Sequence, residues 1–547
     1  AEFFVNTRYL SLEKPHGYDV ETLATQLKEN TTSTQTITET ALGQRPNATV
    51  EHPNIITIMN EAFSDLQVIG KFETDKEYLS FENSMKDDKN TIQGNVYVST
   101  IGTGTSNTEY EFLTGNSMAF LPIGSNAYTL YEKHTQPGFA MTLSDQNYST
   151  TAFHPYYKEN WNRVNTYQYM NFDRYIGMED ITNYQKLRNY ISDEWDFQHV
   201  IDLYKQRDPT KPFFMFNVTM QNHSPYNTGL LRDVHITSMK GDYPQTEEYL
   251  SIIRRSDMAL EQLVNYFKNI SEPTIILMYG DHQPFIEDEF YEELYGKTLH
   301  ELSDAENQRR YITHFFMWAN YDIPSGTIPY ISANYLSTLL AENANIKLTP
   351  YQNFQQNIYQ DVPVVSALGC IDKDGNYERP KDRWRKSITT GKIAEPSNYS
   401  AKYFTTLDMA KERNYGPFKL ETNDGLDKAI NLIENGIGMK YDEKDHTVSQ
   451  ASEAYGEGTN TGFGMLTGLE ILKQMKDEGV ENRFFVLLTD GIPSGLEYIL
   501  PSGNPAVSRS LYNSQRGSSL NVNHSGEYSG ISYIDQITNA DNGNNPK

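Results

Sequence analysis

The sequence predicts an α/β fold: a mostly parallel sheet flanked by helices on both faces, followed by a C-terminal α/β segment. Three observations carry this. Short apolar runs of strand length recur, each bounded by polar residues, Gly or Pro, as buried parallel strands are. A long run with helical spacing lies between two of them. Strands alternating with helices imply a sheet covered on both sides.

Along the chain, residues 1–50 read as a lead-in. A short amphipathic piece, Val20–Leu27, precedes Asn30–Thr40, whose Thr and Ser content reads as a solvated linker. Residues 51–380 form the main domain. Its expected strands are Asn54–Met59, Asn95–Ser99, Pro212–Val218, Thr274–Tyr279 and Thr313–Trp318. Its clearest helix is Glu247–Asn269, where Tyr249, Ile252, Ile253, Leu260, Leu263, Val264 and Phe267 recur at helical spacing. Texture changes near Asp372–Lys381. Residues 381–547 are richer in Gly, Asn, Ser and charge, with a strand at Phe484–Leu488 and a helix at Gly464–Lys476. The last stretch, Ser502–Lys547, reads as poorly packed.

Composition excludes several classes of function. The 547 residues carry a formal net charge of −26, which repels nucleic acid and anionic membrane from the bulk of the surface. A local cationic pocket for phosphate remains compatible with it. The single cysteine, Cys370, rules out an internal disulfide and a Cys-rich zinc site. No apolar run approaches the ~20 residues that a membrane span needs, and no signal peptide opens the chain.

The chemistry gathers where predicted strands stop. The first strand ends in Asn60-Glu61. The second runs into Gly102-Thr103-Gly104-Thr105-Ser106-Asn107, ahead of a helix. Thr274–Tyr279 runs into Gly280-Asp281-His282-Gln283-Pro284. In parallel sheets, active sites collect at the carboxyl ends of strands. Three oxygens and an imidazole suit Mn²⁺, Mg²⁺ or Zn²⁺. The glycines before Thr105 allow a tight turn that sets its hydroxyl at a helix N-terminus, where phosphate oxygens are favoured. Each piece has a plainer reading alone: a solvated Glu61, a helix-capping Thr105, a loop Asp-His pair. Their joint placement points to a site.

Five blocks, in order, resemble the extracellular domain of lipoteichoic acid synthases, sulfatase-like members of the alkaline phosphatase superfamily. They are Asn54–Phe63, Gly102–Ser117, Ala152–Arg163, Pro212–Pro225 and Tyr279–Pro284. The resemblance spans roughly residues 1–378. It implies Thr105 as nucleophile and one metal, typically Mn²⁺, held by Glu61, Thr105, Asp281 and His282. It implies a phosphoglycerol pocket from His154, Trp161 and Arg163, with His223 nearby. Arg163 would fork onto phosphate oxygens, and the histidines would donate hydrogen bonds or move protons. Trp161 as core and His154 as a buried structural histidine are the plainer alternatives. The implied reaction moves glycerol phosphate from phosphatidylglycerol, through a phosphothreonine-type intermediate, to a glycerol-phosphate polymer or a glycolipid. The resemblance also implies an extracellular location at a Gram-positive cell membrane. Ala1–Leu12 looks like the segment just outside a last membrane helix that has been removed.

Residues 381–547 depart from that pattern. Gly458–Gly462 and Phe484–Gly491 resemble part of a von Willebrand factor A domain, with Thr459 and Asp490 at its metal-holding positions, but the Asp-x-Ser-x-Ser motif of that domain is absent. Two other functions compete with the transferase. One is a hydrolase of the same superfamily, a phosphodiesterase or sulfatase; Thr at the nucleophile position counts against a classical sulfatase. The other is a surface adhesion protein acting through the C-terminal segment.

Overall fold

A computed structural model describes residues 35–378, with breaks at 48 and 122–123, and scattered positions from 19 to 33. Beyond these it describes four short strands. The chain divides into two units, Glu13–Ala401, and Ala1–Leu12 with Lys402–Lys547. In the second unit, two antiparallel hairpins are described: Met439–Asp442 with Thr447–Gln450, and Val522–His524 with Gly526–Tyr528. The expected helix Gly464–Lys476, the strand Phe484–Leu488, Thr459 and Asp490 lie outside the described residues.

The first unit is built on an eight-stranded sheet. Its strands are β1 (Asn54–Asn60), β2 (Thr91–Tyr97), β3 (Ser149–Phe153), β4 (Arg174–Ile176), β5 (Phe213–Val218), β6 (Thr274–Gly280), β7 (Ile312–Ala319) and β8 (Gly326–Ser332). Their spatial order is β8-β2-β7-β6-β1-β5-β3-β4. All run parallel except β7, which is antiparallel to both β6 and β2.

Burial explains why these strands read as unbroken apolar runs. Ile55 and Met59 of β1 pack into one core, and Ile56 and Ile58 into the other. In β6, Ile275 and Leu277 divide from Ile276 and Met278 in the same way. Side chains alternate across the sheet, so a strand covered on both faces needs apolar residues at every position. Helices α1 (Thr105–Thr114) and α5 (Ala333–Asn343) cover the first face. Helices α3 (Asp193–Gln206) and α4 (Pro244–Lys268) cover the second. A shorter helix, α2 (Arg163–Tyr169), follows the turn at Trp161. A small antiparallel sheet, Val364–Ser366, Gly369–Ile371 and Tyr377–Glu378, holds the buried Cys370.

The structure corrects three expectations. Thr313–Trp318 is an antiparallel strand: an apolar run buried on both faces carries no signal of direction. The second strand starts at Thr91 and ends at Tyr97, rather than spanning Asn95–Ser99. Gln93 and Gly94 disguised its start. The Gln93 amide donates to Glu82 O at 2.8 Å, and a Cβ at Gly94 would lie 2.0 Å from the Ile328 carbonyl oxygen. The solvated linker stops short of Thr40, because Ile37–Leu42 is a helix with a Thr36–Glu39 capping box. Ile37 and Thr38 are buried, and both backbone N–H groups donate to the Glu342 carboxylate. Strands β3, β4 and β8 carried no signal in the sequence. Pro329 sits in the edge strand β8, where a missing N–H is tolerated. Among the described residues no helix is long and apolar enough to cross a membrane.

Candidate metal centre and active site

The carboxyl ends of β1, β5 and β6 lie side by side in the sheet, and each hands over to a chemically active segment. Glu61 follows β1 directly. A Cβ at Gly280, the last residue of β6, would lie 1.8 Å from the Phe63 carbonyl oxygen, so only glycine lets the two strand ends approach this closely. Asp281 Oδ1 then accepts twice, from the N–H of Ala62 at 2.7 Å and of His282 at 2.9 Å.

Glu61, Asp281 and His282 are all buried, and their donor atoms lie within 4.8 Å of one another. Thr105 Oγ1 completes the group, 3.4 Å from Glu61 Oε2. Thr105 opens α1 immediately after Gly104, whose φ of 88° needs glycine. Three contacts brace this helix start. Thr108 Oγ1 donates to Asp281 O at 2.8 Å, Asn107 Nδ2 donates to Ser125 O at 3.0 Å, and Asn107 Oδ1 accepts from the Ala127 N–H at 3.1 Å.

These residues fit a divalent cation on their own chemistry. His282 Nδ1 lies 2.9 Å from the Gln283 carbonyl oxygen, which only accepts, so the ring proton belongs on Nδ1. The Nε2 lone pair then faces two oxygens, Asp281 Oδ2 at 3.3 Å and Glu61 Oε1 at 3.6 Å. Asp281 Oδ2 is itself buried without a hydrogen-bond partner. Burial, and then the Asp281 charge, push the Glu61 carboxyl up to about 8. A cation among these atoms removes every one of these penalties.

Arg163 acts electrostatically on Glu61, and His154 feels Arg163 and His223 in turn. His154 is buried at the end of β3, and its Nδ1 donates to Val218 O at 2.8 Å. Burial, together with the nearby Arg163 charge, holds its pKa well below the usual histidine range. With Nδ1 turned to Val218 O, Nε2 is the ring nitrogen left for another partner. His223 is half-buried. Its Nδ1 lies 2.8 Å from Ser224 O and 3.2 Å from the Tyr190 hydroxyl. Arg188 fastens its loop by donating to the carbonyls of Gln221, His223 and Pro225.

Trp161 is half-buried against the first core. It and Asn162 adopt left-handed φ of 58° and 60°, a costly pair for non-glycine residues. Arg163 leaves this turn fully buried. Its Nε lies 3.0 and 3.2 Å from the two Glu109 oxygens, and Nη2 also donates to Glu109. Burial opposes the Arg163 charge, but Glu109 outweighs it and the pKa is raised.

Sequence reasoning missed Glu109. The available signal was its place four residues after Thr105, on the same face of α1. It also missed the layer behind Glu61. There Asp193 accepts from Asn60 Nδ2 at 2.8 Å and from Ser256 Oγ, and Asn222 Nδ2 donates to Asn60 Oδ1 at 2.7 Å.

Comparison with known proteins agrees with this architecture. A putative cyclic β-1,2-glucan modification protein of Rhizobium meliloti is 29% identical over 332 residues, covering 59% of this chain and 50% of that protein. Lipoteichoic acid synthase 1 of Bacillus subtilis is 26% identical over 323 residues, covering 55% of this chain and 49% of the relative. The chain thus spans about half the length of these curated relatives. The phosphoglycerol transferase GacH of Streptococcus pyogenes, solved with sn-glycerol-1-phosphate, shares the fold with a TM-score of 0.54 at 19% identity, covering 65% of this chain and 89% of that one. The sulfatase family model matches residues 53–346, just over half the chain and all of the strands that carry the metal-ligand candidates. The chain belongs to the sulfatase family.

Proposed function

We propose that this chain is a metal-dependent phosphoglycerol transferase with Thr105 as its nucleophile. One observation carries the reading: a buried hydroxyl at the start of a helix stands 3.4 Å from a carboxylate that shares a cation-shaped cluster with Asp281 and His282. Glu61, Thr105, Asp281 and His282 would hold a divalent ion, which would supply Lewis-acid activation of the hydroxyl and offset phosphate charge. Mn²⁺ is the proposed ion, and Mg²⁺ or Zn²⁺ also suit this donor set.

The reaction runs in two steps. Thr105 Oγ bonds to the phosphorus of phosphatidylglycerol, the bond from phosphorus to the diacylglycerol oxygen breaks, and diacylglycerol leaves carrying a proton. The glycerophosphoryl-threonine is then attacked by an acceptor hydroxyl, and Thr105 Oγ leaves and regains its proton. The N–H groups at the start of α1 face developing phosphate charge. Arg163 keeps the edge formed by Nη1 and the second Nη2 proton for a phosphate oxygen. Neutral His154 accepts from a glycerol hydroxyl through Nε2, Trp161 packs on the glycerol carbons, and His223 is the proton carrier nearest solvent.

The work is proposed to take place at the outer face of a bacterial membrane. A relative named for lipoteichoic acid synthesis supports the donor lipid. Another, named for glucan modification, widens the range of acceptors from glycerol-phosphate polymer to glycan.

Mass spectrometry after incubation with phosphatidylglycerol tests this. A glycerophosphate adduct on Thr105, lost in Thr105→Ala, is the expected result. Full diacylglycerol release by Thr105→Ala sinks the assignment. Release of free glycerol phosphate in preference to transfer, with both acceptors present, marks a hydrolase instead.

A further inference from the structure

Glu109 has no part in the reaction as described above, yet among the described residues it is the one carboxylate gripping the arginine proposed to face phosphate. It lies one helical turn beyond Thr105 on α1. Its oxygens take the whole side edge of the guanidinium: Nε at 3.0 and 3.2 Å, and Nη2. The Tyr167 hydroxyl, from α2, donates to Oε2 at 2.5 Å. Side-chain exposure is 2% for Arg163 and 0% for Glu109, so water does not compete with this pairing. The opposite edge of the guanidinium, with Nη1, has no hydrogen-bond partner among the described residues.

The backbone alone does not aim this arginine. It enters α2 from two consecutive left-handed residues, Trp161 and Asn162, so the side chain needs an anchor elsewhere. That anchor sits on the same ten-residue helix as the nucleophile. This helix is pinned at its start to Asp281 and to the 125–127 loop. A buried ion pair is a poor device for stability alone, since apolar residues of the same volume often serve as well. It is a good device for holding a planar cation in one orientation.

We propose that Glu109 is a positioning residue: it locks the guanidinium of Arg163 to the helix that carries Thr105, so that the open edge of the arginine and the nucleophile address one phosphodiester together. Because Glu109 also offsets the arginine charge, phosphate is held by one edge of a balanced pair and is not trapped by a bare buried cation. This inference rests on the transferase reading above.

The test is a double-mutant cycle on the full chain, with Mn²⁺ and phosphatidylglycerol in detergent micelles, reading diacylglycerol release and metal content. Glu109→Gln is expected to lower kcat/KM by about 100-fold, the scale of a misplaced binding group, with metal content unchanged. Arg163→Gln loses as much or more. The double variant is expected to fall within about threefold of Arg163→Gln, because Glu109 acts through the arginine. Losses that multiply, or a Glu109→Gln chain within about threefold of wild type, overturn the proposal. If Glu109→Gln does not fold, Tyr167→Phe takes its place, with a loss of about 3–10-fold that vanishes in the Arg163→Gln background; a loss that persists there overturns it. A wild-type chain that releases no diacylglycerol overturns the functional reading, and this inference with it.

Discussion

Asp281 and Ala62 are joined by a hydrogen bond of 2.7 Å, from the Ala62 N–H to Asp281 Oδ1, in the turn immediately after Glu61. Ala62 is left-handed, with φ of 49°, immediately after Glu61. Its carbonyl is held in turn by the Tyr249 hydroxyl at 2.7 Å. One Asp281 oxygen thus shapes the turn, and the other is free for the cluster. Asp281, just past the end of β6, thus braces the turn beside Glu61 and is itself a metal-ligand candidate.

Gly280→Ala is expected to destabilise the fold by about 3 kcal/mol or more, at the upper end of overpacking costs. The new methyl would meet backbone, the Phe63 carbonyl at 1.8 Å, which cannot rotate aside. Denaturant midpoints and Mn²⁺ titration check this: stability and metal affinity fall together. A midpoint equal to wild type contradicts the close approach of the two strand ends.

Metal binding is expected to raise the thermal midpoint, by the equivalent of about 2.7 kcal/mol at a metal concentration 100 times Kd. Chelation reverses the shift. Asp281→Asn abolishes it, because one of its two amide atoms must present N–H protons, either to the cluster or to the Ala62 and His282 N–H groups. An Asp281→Asn chain that still shows the full metal shift places the ion elsewhere.

Glu111 supplies a pH signature away from the cluster. Its Oε1 accepts from Ser99 and Ser117 Oγ and from the Met118 N–H, and its Oε2 is buried without a partner. Burial pushes its carboxyl up to about 7, against those hydrogen bonds. A folded-state pKa above the unfolded value means that the stabilising contribution is complete below about pH 4.5 and is lost as pH rises through about 7. Glu111→Gln mimics the protonated form. Its stability relative to wild type is expected to grow between pH 5 and 8, by about 1–3 kcal/mol. A difference that stays constant with pH rules this out.

The turn before Arg163 is expected to tolerate glycine better than a branched residue. Asn162→Val places a β-branched side chain at a φ of 60° and costs about 1–3 kcal/mol. Asn162→Gly relieves the backbone and loses the 3.1 Å hydrogen bond to Tyr128 O, a cost of about 1 kcal/mol. Thermal denaturation of the two variants gives the order; equal losses argue that the turn stores no strain.

The sequence by itself indicated which side chains would come together. Glu61, Thr105, Asp281 and His282 stand where apolar runs stop, and in a parallel sheet those stops share one edge, so their convergence followed from local pattern alone. Strands β1, β5, β6 and β7 and helix α4 were legible for a related reason: burial on both faces leaves an unbroken apolar run, and burial on one stripe leaves a helical period. Tertiary structure decided what has no local mark. The reversed direction of β7, the grip of Glu109 on Arg163 across 54 residues, the lowered pKa of His154 and the turn at Ala62 each depend on which distant groups meet. Orientation, charge state and pairing are set by burial and by partners far away in sequence, and these exist only once the sheet has closed.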